Sequence, residues 1–298
     1  MLAHALAALA LLFAQEPTPR PATPARTRAD APLRVLFVGN SYTFGNDVPW
    51  MVRGLAAAEK GARPLEVESI AIGGATLRNH VESGAVAEKL ATGRFEVLVL
   101  QEQSQLPLLD RAAFHDAARE LHALAAKANA RVVFFCTWAR REHPEQRAGL
   151  EEAYAAIGKE LGATVAPVGR AFERYAALAA SEGTRAKRTT AKQEKRTSDA
   201  SAPPASPSLY MEDGSHATPC GSYLAAILIL EAIQGRAPRT HARELPARRD
   251  PALPTGVPAP PALISIEEEL AALLARSARE AREGFAKDRA GSRAKAPA

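Results

Sequence analysis

Sulfur and aromatic residues are scarce in this chain. Its 298 residues include two cysteines, three methionines and two tryptophans, and aromatics make up 5%. Cys136 and Cys220 are too few for a disulfide-stapled scaffold. They form no CxxC pair and no Cys/His cluster, which excludes a structural zinc site. An exported chain permits one bond between them, but separate buried thiols are the expectation. No cluster of His, Asp and Glu has metal-ligand spacing, so neither a metal nor another cofactor is expected. The apolar run from Leu2 to Phe13 is too short to cross a bilayer. Nothing in the sequence indicates an internal repeat.

The charge is unevenly placed. The net charge is +5, yet most of the excess lies in residues 184–207, where Arg185, Lys187, Arg188, Lys192, Lys195 and Arg196 face only Glu194 and Asp199. A nucleic-acid binder carries its basic residues on a folded face. Here they sit in a low-complexity stretch, so no nucleic-acid partner is expected.

Hydrophobic residues make up 47% of the chain, enough for a sizeable core, and the length suits one domain of about 200 residues with extensions or two small ones. Residues 1–14 read as a secretory signal with a cleavage point after Ala14, although no Lys or Arg precedes the apolar run and Leu12 is a poor −3 residue. The expected location is secreted or periplasmic, without stable membrane insertion. Residues 15–32 are a Pro/Ala/Thr-rich linker.

From residue 33 to 235, apolar β-branched runs alternate with amphipathic stretches. The runs are 33–39, 65–72, 95–101, 130–138 and 163–169. Helical spacing covers 48–61, with Gly61 as a C-cap, then 76–90, 110–128 and 145–161. Continuous apolar strands between such helices predict a parallel sheet of about five strands covered on both faces, a three-layer α/β/α sandwich. Residues 183–208 have no aliphatic side chain larger than alanine and read as a flexible insertion in a loop. Order returns at 209, with an apolar helix ending at Gly235. Residues 236–262 read as irregular, and a last helix over 265–287 opens on a Ser265/Glu268 capping box.

Ligands of open α/β sheets bind beyond the carboxyl ends of the strands, so the residues just after each strand carry the chemistry. They are Gly39-Asn40-Ser41, Gly73 to Thr76, Gln101 to Gln105 and, after the insertion, Asp213-Gly214-Ser215-His216. A serine hydroxyl needs a base to become a nucleophile. A histidine supplies it, and a carboxylate three residues away can orient the ring. Ser41 is thus a candidate nucleophile, His216 its base and Asp213 the orienting carboxylate. The backbone N–H groups of Ser41 and Gly74 and the amide of Gln103 are candidate donors to an oxyanion. Trp138, after the fourth strand, reads equally as a core residue or as a platform for a sugar, and Tyr42 likewise. Glu102 reads as an ion-pair partner. His80, His115, His122, His143 and His241 read as surface residues.

The blocks "VGNSYTFGN", "IAIGGAT", "VLVLQEQSQ" and "DGSHATPCGSYLAA" together resemble the SGNH/GDSL hydrolase superfamily. The resemblance spans residues 33 to 235. It implies a flavodoxin-like sandwich, a nucleophile at Ser41, an Asp-x-x-His pair at Asp213 and His216, and oxyanion donors at Ser41, Gly74 and the Asn position held here by Gln103, with Gln101 as the substitute. Two departures stand out. Gly-Asp-Ser-Leu reads Gly39-Asn40-Ser41-Tyr42, which removes a charge beside the nucleophile, and Gly-x-Asn-Asp reads Gln101-Glu102-Gln103-Ser104. The implied function is a serine esterase acting on a small acyl ester such as acetyl, on a small molecule or a carbohydrate. The alternatives are an acyltransferase on the same site and a carbohydrate-binding relative without catalysis.

Overall fold

Five short runs of branched and aromatic residues build the sheet. The computed structural model describes residues 31–193, 206–248 and 262–294. The expected signal, nearly all of the linker and residues 194–205 of the insertion lie outside the described residues. In chain order the elements are β1 (Leu33–Gly39), α1 (Ser41–Phe44), a 3-10 turn (Gly45–Asp47), α2 (Val48–Ala58), β2 (Leu65–Ala71), α3 (Leu77–Glu82), α4 (Ala85–Ala91) and β3 (Val97–Leu100). Then come α5 (Leu106–Leu109), α6 (Arg111–Lys127), β4 (Arg131–Cys136), α7 (Gln146–Glu160), β5 (Thr164–Pro167) and α8 (Val168–Gln193). The last are α9 (Pro219–Gln234), β6 (Glu244–Pro246), β7 (Ala262–Ser265) and α10 (Glu268–Ala294).

The five main strands are all parallel, in the order β2-β1-β3-β4-β5. Side chains alternate across each strand, and here both faces are covered. Val35, Phe37, Val97 and Val99 pack with residues of α2, α8, α9 and α10. Leu36, Val38, Leu98 and Leu100 pack with α3, α4, α6 and α7. Each such side chain contributes about 1.5–3 kcal/mol of burial free energy. This is the three-layer α/β/α sandwich. Helix α9 is buried almost all round, the pattern of a core helix. The Thr218 hydroxyl caps it by accepting from Gly221 N, Pro219 opens it, and Gly235 closes it at φ 71°.

Several boundaries differ from the sequence expectation. The helix read over 76–90 is two helices, broken where Gly84 takes φ 72°. Glu59 rather than Gly61 caps α2. Helix α8 runs to Gln193, into the basic stretch read as a loop. The 236–262 stretch is not wholly irregular, because β6 pairs antiparallel with β7. Ser265 ends β7 instead of capping the last helix. Cys136 and Cys220 are both free, and only Cys136 is fully buried. Among the described residues no helix is long and apolar enough to cross a membrane.

The chain leaves β1 for β2 on one side and returns to β3 on the other. That reversal opens a crevice beyond the carboxyl ends of β1 and β3. Gly39 sits at its floor. A Cβ built there would collide with Thr43 Oγ1, in the segment that follows β1, and with Gln101 Oε1, at the end of β3. Gly39→Ala is therefore expected to cost about 1–3 kcal/mol, seen as a lower melting temperature, whereas the open Gly45 accepts alanine with little change.

Candidate active site

The strand end of β1 is built on two buried amides. Asn40 is 3% exposed and caps α1, its Oδ1 accepting from Tyr42 N at 3.1 Å. Its Nδ2 donates to Ala75 O at 3.0 Å. Gln101, fully buried, accepts on Oε1 from Asn40 N at 2.9 Å and Thr43 Oγ1 at 2.8 Å. Its Nε2 donates to Asn40 Oδ1 at 3.0 Å and to Glu102 O. An aspartate at position 40 could not donate to Ala75 O, and its charge would be desolvated without a cation partner. The neutral amide satisfies every group in place, which explains the missing charge beside Ser41.

The Asp213–His216 turn folds over the same rim. Gly214 takes φ 65°, a backbone region that glycine enters freely, and this lets Asp213 reach forward. Asp213 Oδ1 accepts from Ser215 N and His216 N, both at 2.9 Å. Its Oδ2 meets His216 Nδ1 at 2.5 Å. The other ring nitrogen, Nε2, lies 2.9 Å from Ser41 Oγ. With Nδ1–H donating to the carboxylate, Nε2 is left to accept the serine proton. The hydrogen bond from His216, reinforced by the two backbone N–H groups, holds the Asp213 carboxyl down at about 2. The side chains of His216 and Asp213 are 42% and 48% exposed, so the pair is open to water.

Trp138 is a core residue here, 1% exposed, and offers no platform to a sugar. It stacks between Tyr42, with centroids 4.4 Å apart, and Phe172, at 4.5 Å. Tyr42 is buried too and meets the His216 ring edge-on at 5.5 Å. The sequence placed Trp138 and Tyr42 near strand ends, but did not show that they form one stack with Phe172.

Ser41 N and Gly74 N have no acceptor among the described residues. Gly74 lies on an exposed turn at φ 70°. Gln103 uses its Oε1 to accept from Gln105 N at 2.8 Å and Leu106 N at 3.0 Å, which fixes the amide. Its Nε2 makes no hydrogen bond among the described residues. Gln101, the substitute for this role, has every amide capacity engaged and is no free donor.

Glu102 is not an ion-pair partner. It is fully buried, and its Oε1 accepts from Leu77 N at 3.1 Å and Gln103 N at 2.6 Å, while Oε2 has no partner. Burial pushes its carboxyl up to about 7. His80 is also buried rather than on the surface. Its Nε2 donates to Gly39 O at 2.8 Å, and burial lowers its pKa. His115 is partly buried and donates to Ala153 O. His143 is exposed beside Glu145.

No protein-family model and no curated protein matches the chain. Solved structures do. A protein from Slackia heliotrinireducens assigned to the SGNH hydrolases is 26% identical, with 68% of this chain and 99% of that chain covered and a TM-score of 0.49. A lipase/acylhydrolase from Enterococcus faecalis is 16% identical, with 70% and 100% covered and a TM-score of 0.47. A catalytic mutant of an acetylxylan esterase from Geobacillus stearothermophilus is 14% identical, with 68% and 94% covered and a TM-score of 0.47.

The Glu102 carboxyl gives a stability signature. Its folded value of about 7 lies above the ordinary 4.5. Between the two, the folded chain holds a proton that the unfolded chain has released, so this contribution to stability falls as pH rises through that window. Glu102→Gln keeps the acceptor for Leu77 N and Gln103 N and removes the titration. Relative to wild type, the variant is expected to gain about 2–3 kcal/mol between about pH 5 and about pH 8, read by urea unfolding.

Proposed function

We infer that this chain, whose fold and ordered motif blocks are those of the SGNH/GDSL hydrolases, is a serine esterase that hydrolyses small acyl esters. The observation supporting it is the hydrogen-bonded chain Asp213–His216–Ser41, with links of 2.5 and 2.9 Å.

Ser41 Oγ attacks the ester carbonyl carbon while His216 Nε2 takes its proton. Asp213 holds the ring by Nδ1–H and stabilises the imidazolium. Its depressed pKa keeps it ionised throughout the neutral range. The carbonyl oxygen becomes an oxyanion and receives the Ser41 and Gly74 N–H groups and the Gln103 amide. His216 then protonates the leaving alkoxide, and the carbonyl–oxygen bond breaks. A water molecule gives its proton to the same Nε2 and attacks the acyl-enzyme. Release of the acid returns the proton to Ser41.

The alcohol side is inferred from the rim. Phe44, Ile72, Leu109 and Met211 are 48%, 56%, 80% and 51% exposed. Each lies within about six residues along the chain of Ser41, Gly74, Gln103 or Asp213, with Phe44 ending α1 and Leu109 ending α5. Large apolar residues exposed beside the candidate site suit an apolar group of a substrate. With Trp138 buried, an apolar alcohol fits this rim better than a sugar.

Two outcomes are expected. Ser41→Ala lowers turnover of p-nitrophenyl acetate by more than about a thousandfold with an unchanged circular dichroism spectrum; a variant that keeps full activity overturns the nucleophile assignment. Leu109→Ser raises KM for hexyl acetate by about three- to tenfold but leaves labelling of Ser41 by a small fluorophosphonate unchanged. Equal KM values for the two proteins would remove the apolar rim from substrate binding.

A further inference from the structure

We propose that the turn carrying the nucleophile also positions the base, with Tyr42 and Asn46 gripping the residues on either side of His216. This rests on the reading of Ser41 and His216 as nucleophile and base.

His216 is half-exposed, so packing alone does not immobilise its ring. Its neighbours are held instead, and from the segment that follows β1. Tyr42 Oη bonds Ser215 Oγ at 2.7 Å. Asn46 Nδ2 donates to Ala217 O at 2.9 Å and to Ser222 Oγ at 2.9 Å on α9. Both gripping side chains come from the short segment Ser41–Asp47. The nucleophile, the clamp before the base and the clamp after it are therefore one piece of backbone. The Ser41–His216 distance is set within that piece rather than across the whole sheet.

Two further observations support a positioning role. Trp138 Nε1 donates to Ser215 O at 2.9 Å, and its stack on Tyr42 fixes the plane of the phenol ring. Stacking and burial alone would be served by a phenylalanine at position 42, so the hydroxyl has a separate task. Asn46 adopts φ 52°, ψ 21° and Asp47 follows at φ 52°, ψ 53°. Consecutive left-handed residues other than glycine are strained, and such strain persists where surrounding contacts hold it. Here the bend aims Asn46 at the carbonyl of Ala217.

The test is kinetic. Tyr42→Phe keeps the ring stack and removes the hydroxyl. Asn46→Gly suits the left-handed backbone and removes the donor. Each is expected to lower kcat for p-nitrophenyl acetate, and the rate of phosphonylation of Ser41 by a fluorophosphonate, by about tenfold, with KM within about twofold of wild type. Ser215→Ala removes the Tyr42 bond from its other end. The Tyr42→Phe/Ser215→Ala double variant is therefore expected to lose no more than either single one. Variants that melt lower yet are phosphonylated at the wild-type rate overturn the proposal. So does a double variant whose losses multiply. Wild-type protein that fails to label at Ser41 overturns the esterase reading instead, which separates the two failures.

Discussion

The side-chain amide of Gln101 is the joint on which the candidate site depends. It sits at the end of β3, fully buried, with two bonds accepted and two donated. Through Asn40 N and Thr43 Oγ1 it fixes the turn that carries Ser41. Through Asn40, whose Nδ2 holds Ala75 O, it reaches the Gly74 turn. The neighbouring Glu102 ties α3 to the start of the Gln103 loop. Three strand ends are thus locked to one another before the Asp213–His216 turn is added. The crevice at the point where the strand order reverses is a fixed frame, assembled from neutral amides and one buried carboxyl.

Much of the fold was legible in the sequence because burial on both faces leaves a strong mark. The five apolar runs became β1 to β5, and β1 spans the same residues that the pattern marked, Leu33 to Gly39. Helix ends were less legible. Gly84 breaks one amphipathic stripe in two, because an apolar period survives a two-residue turn that keeps the same face inward. The β6–β7 pair escaped notice because its partners are far apart in sequence, and edge pairing leaves no periodic signal.

Within the candidate site, the Asp213–His216 pair has a local spacing that a sequence displays, whereas contacts between strand ends leave none. Asp213 and His216 lie three apart in one turn, and the structure puts them in one hydrogen-bonded chain with Ser41. Trp138, Gln101, Glu102 and His80 depend on contacts between strand ends that no spacing encodes. Their residue types even misled. A buried carboxyl and a buried histidine both look like surface residues in sequence, since burial without a countercharge is uncommon. Asn40 is the instructive case. As a letter it marked a departure from a motif, and in place it is the acceptor that caps α1 and the donor that closes the Gly74 turn.

The open setting of the His216–Asp213 pair bears on the fate of an acylated Ser41. The His216 side chain is 42% exposed, so a base in that place would meet bulk solvent while an acyl group is attached. Transfer to a second alcohol requires that alcohol to outcompete water at the imidazole, and nothing about a half-exposed ring keeps water away. On the proposed esterase reading, this corner would favour hydrolysis over group exchange, and would do so by what it leaves uncovered.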